Sequence, residues 1–171
     1  LMNKKEVALI TGGGTGIGFA IAKKLHSMNK TVVLTGRRKE KLLQAKKILK
    51  TRCHIIEHDI SRLESIPKLV TDIEKKIGPI NYLLNNAGMH LRKIALETTD
   101  EEWKNVIDTN LNSVFSLSRE CAKKMIRRKK GNIILVGSVT TIMGLPDVTA
   151  YATSKTALSG LARTLAIELG K

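Results

Sequence analysis

Short apolar runs alternate with helix-spaced segments along this 171-residue chain, and this alternation restricts its possible folds more than any other feature. The run 6–11 is bounded by glycines and predicts a buried strand, and residues 18–29 then place their apolar side chains at helical intervals. Further strands are predicted at 31–36, 54–60, 80–88 and 131–138, separated by helices near 36–52, 63–77 and 100–128 and followed by one at 151–169. We therefore expect an α/β fold with three α/β/α layers and a parallel sheet covered on both faces.

The size and composition of the chain predict one domain spanning 1–171. No apolar run approaches the ~20 residues of a membrane span, so no membrane is expected as a partner. Cys53 and Cys121 are far apart and form no C-x-x-C motif, which suits a reducing compartment and predicts a cytoplasmic protein. No Cys and His grouping has metal-ligand spacing, so no metal site is predicted.

A net charge of +15 gives the chain a field that attracts anions. The charge is concentrated at 36–52 and 126–131. Nucleic-acid binding would favour aromatic stacking platforms among the basic residues, but aromatics make up 3% of the chain and none lies in either segment. Nucleic acid is therefore not predicted as a partner, and most lysines of the first segment are expected on a solvated helix face.

A glycine-rich stretch, TGGGTGIG at 11–18, follows the first strand and opens the first helix. Free N–H groups and the positive dipole end at a helix N-terminus favour a pyrophosphate, and glycines let the backbone approach it closely. Tight strand–helix turns also favour glycine, but the position after the first strand favours phosphate binding. The sequence thus predicts a Rossmann-type, doubly wound sheet.

The end of the second strand is where the adenosine ribose of a dinucleotide is expected to lie. An acidic residue there would accept from the ribose 2′-hydroxyl, whereas an arginine favours a 2′-phosphate. This chain has Arg37 and Arg38 and no acid, which favours NADP over NAD. The alternative interpretation assigns both arginines to the solvated basic face.

Tyr151 and Lys155 are separated by four residues, so they share one face of the last predicted helix. A free phenol is a poor acid–base catalyst at neutral pH, and an adjacent cation favours its ionised form. Ser138 lies thirteen residues upstream and can donate to a substrate oxygen. The pair is either a proton-transfer device or a structural contact, and Ser138 or Asn110 could equally serve locally as a cap or a helix asparagine.

These motifs, in this order, resemble the short-chain dehydrogenase/reductase family over essentially the whole chain. The resemblance rests on TGGGTGIG, Asp59, NNAG at 85–88, Asn110, Ser138 and YATSK at 151–155. It implies a catalytic tetrad of Asn110, Ser138, Tyr151 and Lys155. The cofactor-binding residues that follow from the motifs and the resemblance are Gly12, Gly14, Thr15, Gly16, Ile17, Gly18, Arg37, Arg38, Asp59, Ile60, Asn86, Ala87 and Gly88, together with Tyr151 and Lys155.

The family pattern implies hydride transfer between NADP(H) and a carbonyl or secondary alcohol, with Tyr151 as acid and base. NAD is the alternative cofactor. The region after NNAG looks most like 3-oxoacyl-carrier-protein reductases and sugar-acid dehydrogenases, so the expected substrate is a small or carrier-bound carbonyl compound. A cofactor-binding regulatory protein without turnover is the alternative. Asn110 is also expected to distort its helix and hold a relay water, and His90 is interpreted as a solvated loop histidine.

Two departures from the family pattern affect these expectations. Members that use NADP often carry a basic residue where this chain has Thr15. Members also continue with further strands and a substrate loop, so we expect the C-terminal part to be missing from this sequence. The long helix and the last helix are the surfaces through which family members dimerise, which implies a homodimer or homotetramer.

Overall fold

Five parallel strands form the central sheet, namely β1 (Val7–Thr11), β2 (Thr31–Gly36), β3 (Cys53–Glu57), β4 (Ile80–Asn85) and β5 (Asn132–Leu135). Their order in the sheet is β3-β2-β1-β4-β5. The structure, a computed structural model, describes residues 6–170. Each strand pairs in parallel with its neighbours, and the order reverses direction between β1 and β4, where the carboxyl ends of the strands leave a crevice.

Helices cover both faces of this sheet, which confirms the three-layer, Rossmann-type α/β fold. One apolar cluster packs α3 (Ile66–Lys76) and α5 (Ser113–Arg127) against one face, and a second packs α1 (Gly16–Ser27) and α2 (Lys39–Leu49) against the other. Strands β1, β2 and β4 are almost fully buried, while β5 is the exposed edge of the described sheet, with Ile134 45% exposed. Within residues 6–170, the other two α-helices are α4 (Asp100–Ile107) and α6 (Thr149–Leu169).

The long helix predicted over 100–128 is interrupted in its middle. A capping box at Thr99 and Glu102 begins α4, and a π-helical turn, Asp108–Asn112, joins α4 to α5. Such π turns are rare and concentrate at functional sites because the extra residue redirects side chains. Here the turn contains Asn110, one of the predicted site residues, which is fully buried.

Both cysteines are free and buried, one in each apolar cluster. Burial raises the pKa of Cys53 to about 11 and that of Cys121 to about 12, so both thiols stay protonated and unreactive at neutral pH. Among residues 6–170, no helix combines the length and the apolarity needed to cross a lipid bilayer.

A charged cluster ties the strands together at their amino ends, opposite the glycine turn. The carboxylate of Glu6 accepts hydrogen bonds from Lys30 and Lys130, and the Tyr82 hydroxyl donates to it at 3.3 Å. The bonds from Lys130 and Lys30 lower the pKa of Glu6 from 4.5 to about 2. Because the folded-state pKa lies below the unfolded one, this carboxylate stabilises the fold above about pH 4.5, and its contribution is lost as pH falls through about 2.

Replacing Glu6 with glutamine is expected to destabilise the protein by about 2 kcal/mol at pH 7, since hydrogen bonds to a charged group are lost. The difference between the parent and Glu6→Gln should shrink as the pH is lowered toward about 2. Urea unfolding at several pH values measures both effects, with Glu40→Gln, an exposed carboxylate on α2, as the control. A pH-independent difference would contradict this role of Glu6.

Candidate active site

The glycine-rich turn between β1 and α1 is held against the end of β4 by Asn86. The Asn86 amide nitrogen Nδ2 donates to the Thr11 carbonyl at 2.9 Å and to the Gly12 carbonyl at 3.3 Å. Gly12 has φ +63°, and a methyl group there would lie 2.9 Å from Asn86 Nδ2. A methyl group at Gly18 would lie 2.6 Å from the Gly12 carbonyl oxygen. These two positions therefore require glycine for the turn to close.

A cleft of about 270 Å³ opens beside this turn at the carboxyl ends of the strands. Most of the residues predicted to bind a cofactor line it, which are Gly12, Gly14, Thr15, Arg37, Arg38, Asp59, Ile60, Asn86, Ala87 and Gly88. Gly16, Ile17 and Gly18 belong to the same turn and first helix but do not line the cleft. The lining residues that the sequence interpretation missed are Gly36, Lys41, Leu42, His58 and Thr109.

One end of the cleft is strongly basic. Arg37, Arg38 and Lys41 all line it, and the guanidinium of Arg38 donates to Thr15 Oγ1 at 3.3 Å. This contact brings a cation from the β2–α2 connection to the position in the glycine turn where a basic residue was expected and Thr15 stands. Lys41 was assigned to the solvated helix face, and the signal that could have identified it is its place one helical turn after Arg37 and Arg38.

The other wall of the cleft carries Asp59, with Ile60 buried behind it. Asp59 Oδ1 accepts from the Ser61 backbone N–H at 3.0 Å and from the Ser61 hydroxyl at 2.8 Å. Burial opposes ionisation of Asp59, but these bonds and the charges of Arg37 and Arg62 lower its pKa overall. The carboxylate therefore stays charged and fixed in orientation.

His58, next to Asp59, also lines the cleft. Its Nε2 lies 3.2 Å from the Ser65 hydroxyl oxygen. Burial lowers the pKa of His58, which favours the neutral imidazole at neutral pH. The contact between His58 and Ser65, together with the bonds from Ser61 to Asp59, therefore holds this wall of the cleft in place.

Lys155 lies on the first turns of α6 and is 95% buried, at 5% relative exposure. Its ammonium donates to the Val136 carbonyl at 2.7 Å and lies 5.9 Å from the centroid of the Tyr151 ring. Burial lowers the pKa of Lys155, because the charged form is separated from water. The four-residue spacing therefore places the phenol and the ammonium on one face, as the sequence predicts.

Asn110 and Lys155 meet at Gly88, at the inner end of the cleft. A methyl group at Gly88 would lie 3.5 Å from Asn110 Oδ1 and 3.7 Å from Lys155 Nζ. Gly88 also lines the cleft, so the buried polar groups adjoin the space that the glycine turn borders. This arrangement brings two of the predicted catalytic residues to the predicted cofactor site.

The Asn110 amide clamps the segment after β4. Its Oδ1 accepts from the Met89 N–H at 2.7 Å, and its Nδ2 donates to the Met89 carbonyl at 2.9 Å and to Ser154 Oγ at 3.0 Å. The Ser154 hydroxyl donates in turn to the Tyr151 carbonyl at 2.7 Å. Ser154 is fully buried and was not singled out from the sequence, although it stands beside Lys155.

Ser138 ends the segment after β5 and begins a short 3-10 turn, Val139–Thr141. Its Oγ accepts from the Thr140 N–H at 3.2 Å, which leaves the hydroxyl proton free to donate. Tyr151 is half-buried, and its ring contacts the ring of His90 with the centroids 4.7 Å apart. Within the described range, no group of three or more His, Cys, Asp or Glu side chains could hold a metal ion.

The model of the short chain dehydrogenase family matches residues 6–171 of this sequence. The chain belongs to the short chain dehydrogenase family. Members of this family are NAD(P)-dependent oxidoreductases, and the predicted resemblance is confirmed.

Individual relatives of this short chain dehydrogenase agree with the match. A 3-oxoacyl-(acyl-carrier-protein) reductase FabG from Buchnera aphidicola subsp. Baizongia pistaciae is 34% identical over 166 residues, covering 96% of this chain and 68% of the relative. Nodulation protein G from Rhizobium sp. (strain N33) is 35% identical over 162 residues, covering 95% of this chain and 66% of the relative. The chain thus spans about two thirds of the length of these curated relatives.

Solved structures show the same fold. A metagenomic short-chain oxidoreductase in complex with NADP superimposes with a TM-score of 0.93 at 34% identity, covering 97% of this chain and 77% of that one. A short-chain dehydrogenase from Streptomyces avermitilis superimposes with a TM-score of 0.93 at 28% identity, covering 99% of this chain and 62% of that one. The doubly wound arrangement of this chain is therefore that of solved family members.

Proposed function

We propose that this protein is an oxidoreductase that transfers hydride between NADP(H) and a carbonyl or secondary alcohol. The observation that carries the proposal is the meeting of Asn110 and the buried Lys155 at Gly88, which lines the cleft beside the glycine turn. A satisfied structural pair would not need to adjoin a cleft bordered by a glycine turn.

The residues around the cleft fit a dinucleotide. A methyl group at Gly16 would contact nothing within 4 Å, so the backbone of the turn is open to a ligand there, at the N-terminus of α1. Arg37, Arg38 and Lys41 supply cations for a 2′-phosphate, and Asp59 supplies a fixed acceptor for an adenine amino group. Gly14, Ile17 and Gly18 complete the turn that faces the pyrophosphate.

The side chains beyond Gly88 supply the acid and base chemistry. The cofactor, when bound, supplies the hydride that reduces the carbonyl carbon. Tyr151 gives its hydroxyl proton to the oxygen, which gains negative charge as the carbon is reduced. Ser138 has a free hydroxyl proton and holds the same oxygen.

Lys155 supports this transfer in two ways. Among residues 6–170, Lys155 donates a hydrogen bond to Val136 through one of its three N–H groups, so the others can hold the nicotinamide ribose. Its positive charge, kept from water and 5.9 Å from the Tyr151 ring centroid, also stabilises the negative charge that develops on the reacting oxygen. Asn110 fixes the backbone that borders this pocket, and we propose a relay water beside it that links Lys155 to solvent.

A 3-oxoacyl thioester, free or bound to a carrier protein, is the substrate class that we propose first. Several relatives are named as 3-oxoacyl-(acyl-carrier-protein) reductases, and an acidic carrier or anionic substrate suits the net charge of +15. The matching test follows the absorbance of NADPH with a 3-oxoacyl thioester, a simple ketone and a sugar acid. NADPH binding without consumption in any of these assays would support the regulatory alternative and overturn the enzyme proposal.

The basic end of the cleft predicts the cofactor preference. Replacing Arg37 and Arg38 together with alanine should raise KM for NADPH about 10- to 100-fold and leave KM for NADH nearly unchanged, because only NADPH carries the phosphate that they bind. Steady-state kinetics with both cofactors measures this. Lys39→Ala is the matched control, since Lys39 is exposed and does not line the cleft. An equal loss with both cofactors would contradict a phosphate-binding role.

We also propose that the protein works in the cytoplasm as a homodimer or homotetramer. Apolar side chains exposed on α4, α5 and α6 support assembly through these helices, namely Trp103, Phe115, Ile126 and Ile167. Two buried, unpaired cysteines suit a reducing compartment.

A further inference from the structure

His90 contacts the tyrosine that the proposed reaction depends on. The centroids of the two rings are 4.7 Å apart, and their planes are inclined by 49°. This is the separation at which aromatic rings attract each other in tilted arrangements. The sequence interpretation treated His90 as a solvated loop residue; it is exposed, but one side of its ring is committed to Tyr151.

The backbone next to His90 is anchored to the same helix as Tyr151. Met89 is clamped through both its N–H and its carbonyl by the Asn110 amide. The amide nitrogen of Asn110 also donates to Ser154, whose hydroxyl donates to the Tyr151 carbonyl. A continuous series of hydrogen bonds therefore sets the distance between the backbone before His90 and the backbone of Tyr151, so the ring contact is not that of a free loop.

The phenol ring is consequently restricted by groups from two elements. Lys155 lies 5.9 Å from its centroid, and His90 touches it from the segment after β4. A half-buried tyrosine without such neighbours can exchange between staggered side-chain conformations. Proton transfer requires the phenol oxygen within hydrogen-bonding distance of the reacting oxygen, and a displacement of about 1 Å can cost about 100-fold in rate.

We propose that His90 is a positioning residue for Tyr151: its ring limits rotation of the phenol and keeps the hydroxyl at the reacting oxygen. This role rests on the proposed function, in which Tyr151 is the proton donor. The contribution comes from the imidazole ring as a packing surface, so another aromatic ring at position 90 should replace it.

The kinetic test compares His90→Ala with His90→Phe in the carbonyl-reduction assay. His90→Ala is expected to lower kcat about tenfold with little change in KM for NADPH, because His90 does not line the nucleotide cleft. His90→Phe should recover most of the lost kcat. An unchanged kcat in His90→Ala would overturn the proposal, as would a His90→Phe variant as slow as His90→Ala, since the imidazole nitrogens would then carry the effect.

A second readout does not depend on turnover. The chain has two tyrosines, Tyr82 and Tyr151, so ¹³C-labelled tyrosine gives ring signals that Tyr151→Phe assigns by elimination. The Tyr151 signal should move in His90→Ala and the Tyr82 signal should stay in place; no movement at Tyr151 would overturn the contact itself. If the Tyr151 signal moved but the parent reduced no carbonyl, the proposed function would fail and the positioning role of His90 with it. If the parent is active but His90→Ala leaves both the Tyr151 signal and kcat unchanged, the positioning role of His90 is overturned and the proposed function is not.

Discussion

Tyr151→Phe lowers kcat for carbonyl reduction by about 100- to 10,000-fold, the range expected when a positioned general acid is removed. Phenylalanine keeps the ring that packs beside His90 and Lys155 but lacks the proton that the reduced oxygen needs. Binding of NADPH should change little, since Tyr151 does not line the nucleotide cleft. Stopped-flow measurement of NADPH consumption, together with a fluorescence titration of NADPH binding, separates these two effects.

Tyr82→Phe is the matched control for this substitution. It removes the same hydroxyl group from the other tyrosine of the chain, whose hydroxyl donates to Glu6. This variant should retain the kcat of the parent and lose only a little stability, because its hydrogen bond belongs to the charged cluster of Glu6. A Tyr151→Phe variant with full kcat would rule out Tyr151 as the proton donor.

Lys155→Met should lower kcat by about 100- to 1,000-fold, the loss typical of removing one preorganised electrostatic group. The methionine side chain has a similar length and no charge. Its effect on stability should stay within about 1 kcal/mol, because the lost hydrogen bond to Val136 is offset by relief from burying an ammonium whose pKa burial lowers. Steady-state kinetics and thermal unfolding of the same sample measure the two quantities.

Lys30→Met is the matched control, in which we expect a loss of stability without a loss of activity. Lys30 donates to Glu6 in the charged cluster, far from the cleft residues in the fold. Its loss should lower the melting temperature and leave kcat unchanged. If Lys155→Met lost stability and activity in parallel, as a merely structural lysine would, the electrostatic role of Lys155 would be contradicted.

The order of elements was predictable from local signals. Buried parallel strands are apolar on both faces, and amphipathic helices repeat their apolar residues with a period near 3.6 residues. The alternation of strands and helices could therefore be recognised without the structure. The glycine turn and the Tyr151–Lys155 pair were predictable for the same reason, because each depends on a spacing of a few residues. The family and the fold followed from these local features and are confirmed.

Features that depend on long-range contacts were not predictable in this way. A distortion of the helix at Asn110 was expected and is present as the π turn, but the bond from the Asn110 amide to Met89, twenty-one residues away, was not. Strand β5 ends at Leu135 rather than at the predicted residue 138, because the Val136 carbonyl accepts from Lys155 and Ser138 begins a 3-10 turn. Helix α6 begins two residues before Tyr151, at Thr149.

The cleft residues beyond the motifs were missed for a related physical reason. A lysine on a basic helix face has the same local signature whether it faces solvent or a cleft, so Lys41 could not be distinguished from its neighbours. His90 is exposed, as loop histidines usually are, and its ring contact with Tyr151 arises only when β4 and α6 are brought together.

Transfer of a labelled hydrogen shows whether this protein moves hydride from NADPH to a carbonyl carbon with Tyr151 as the proton donor. The protein is incubated with a 3-oxoacyl thioester and NADPH that carries deuterium at its transferable position, and the product is analysed by mass spectrometry. We expect a hydroxyacyl thioester with one deuterium on the carbon that was the carbonyl carbon, formed by the parent and not detectably by Tyr151→Phe. Product without deuterium, or product formed equally by Tyr151→Phe, would contradict this expectation.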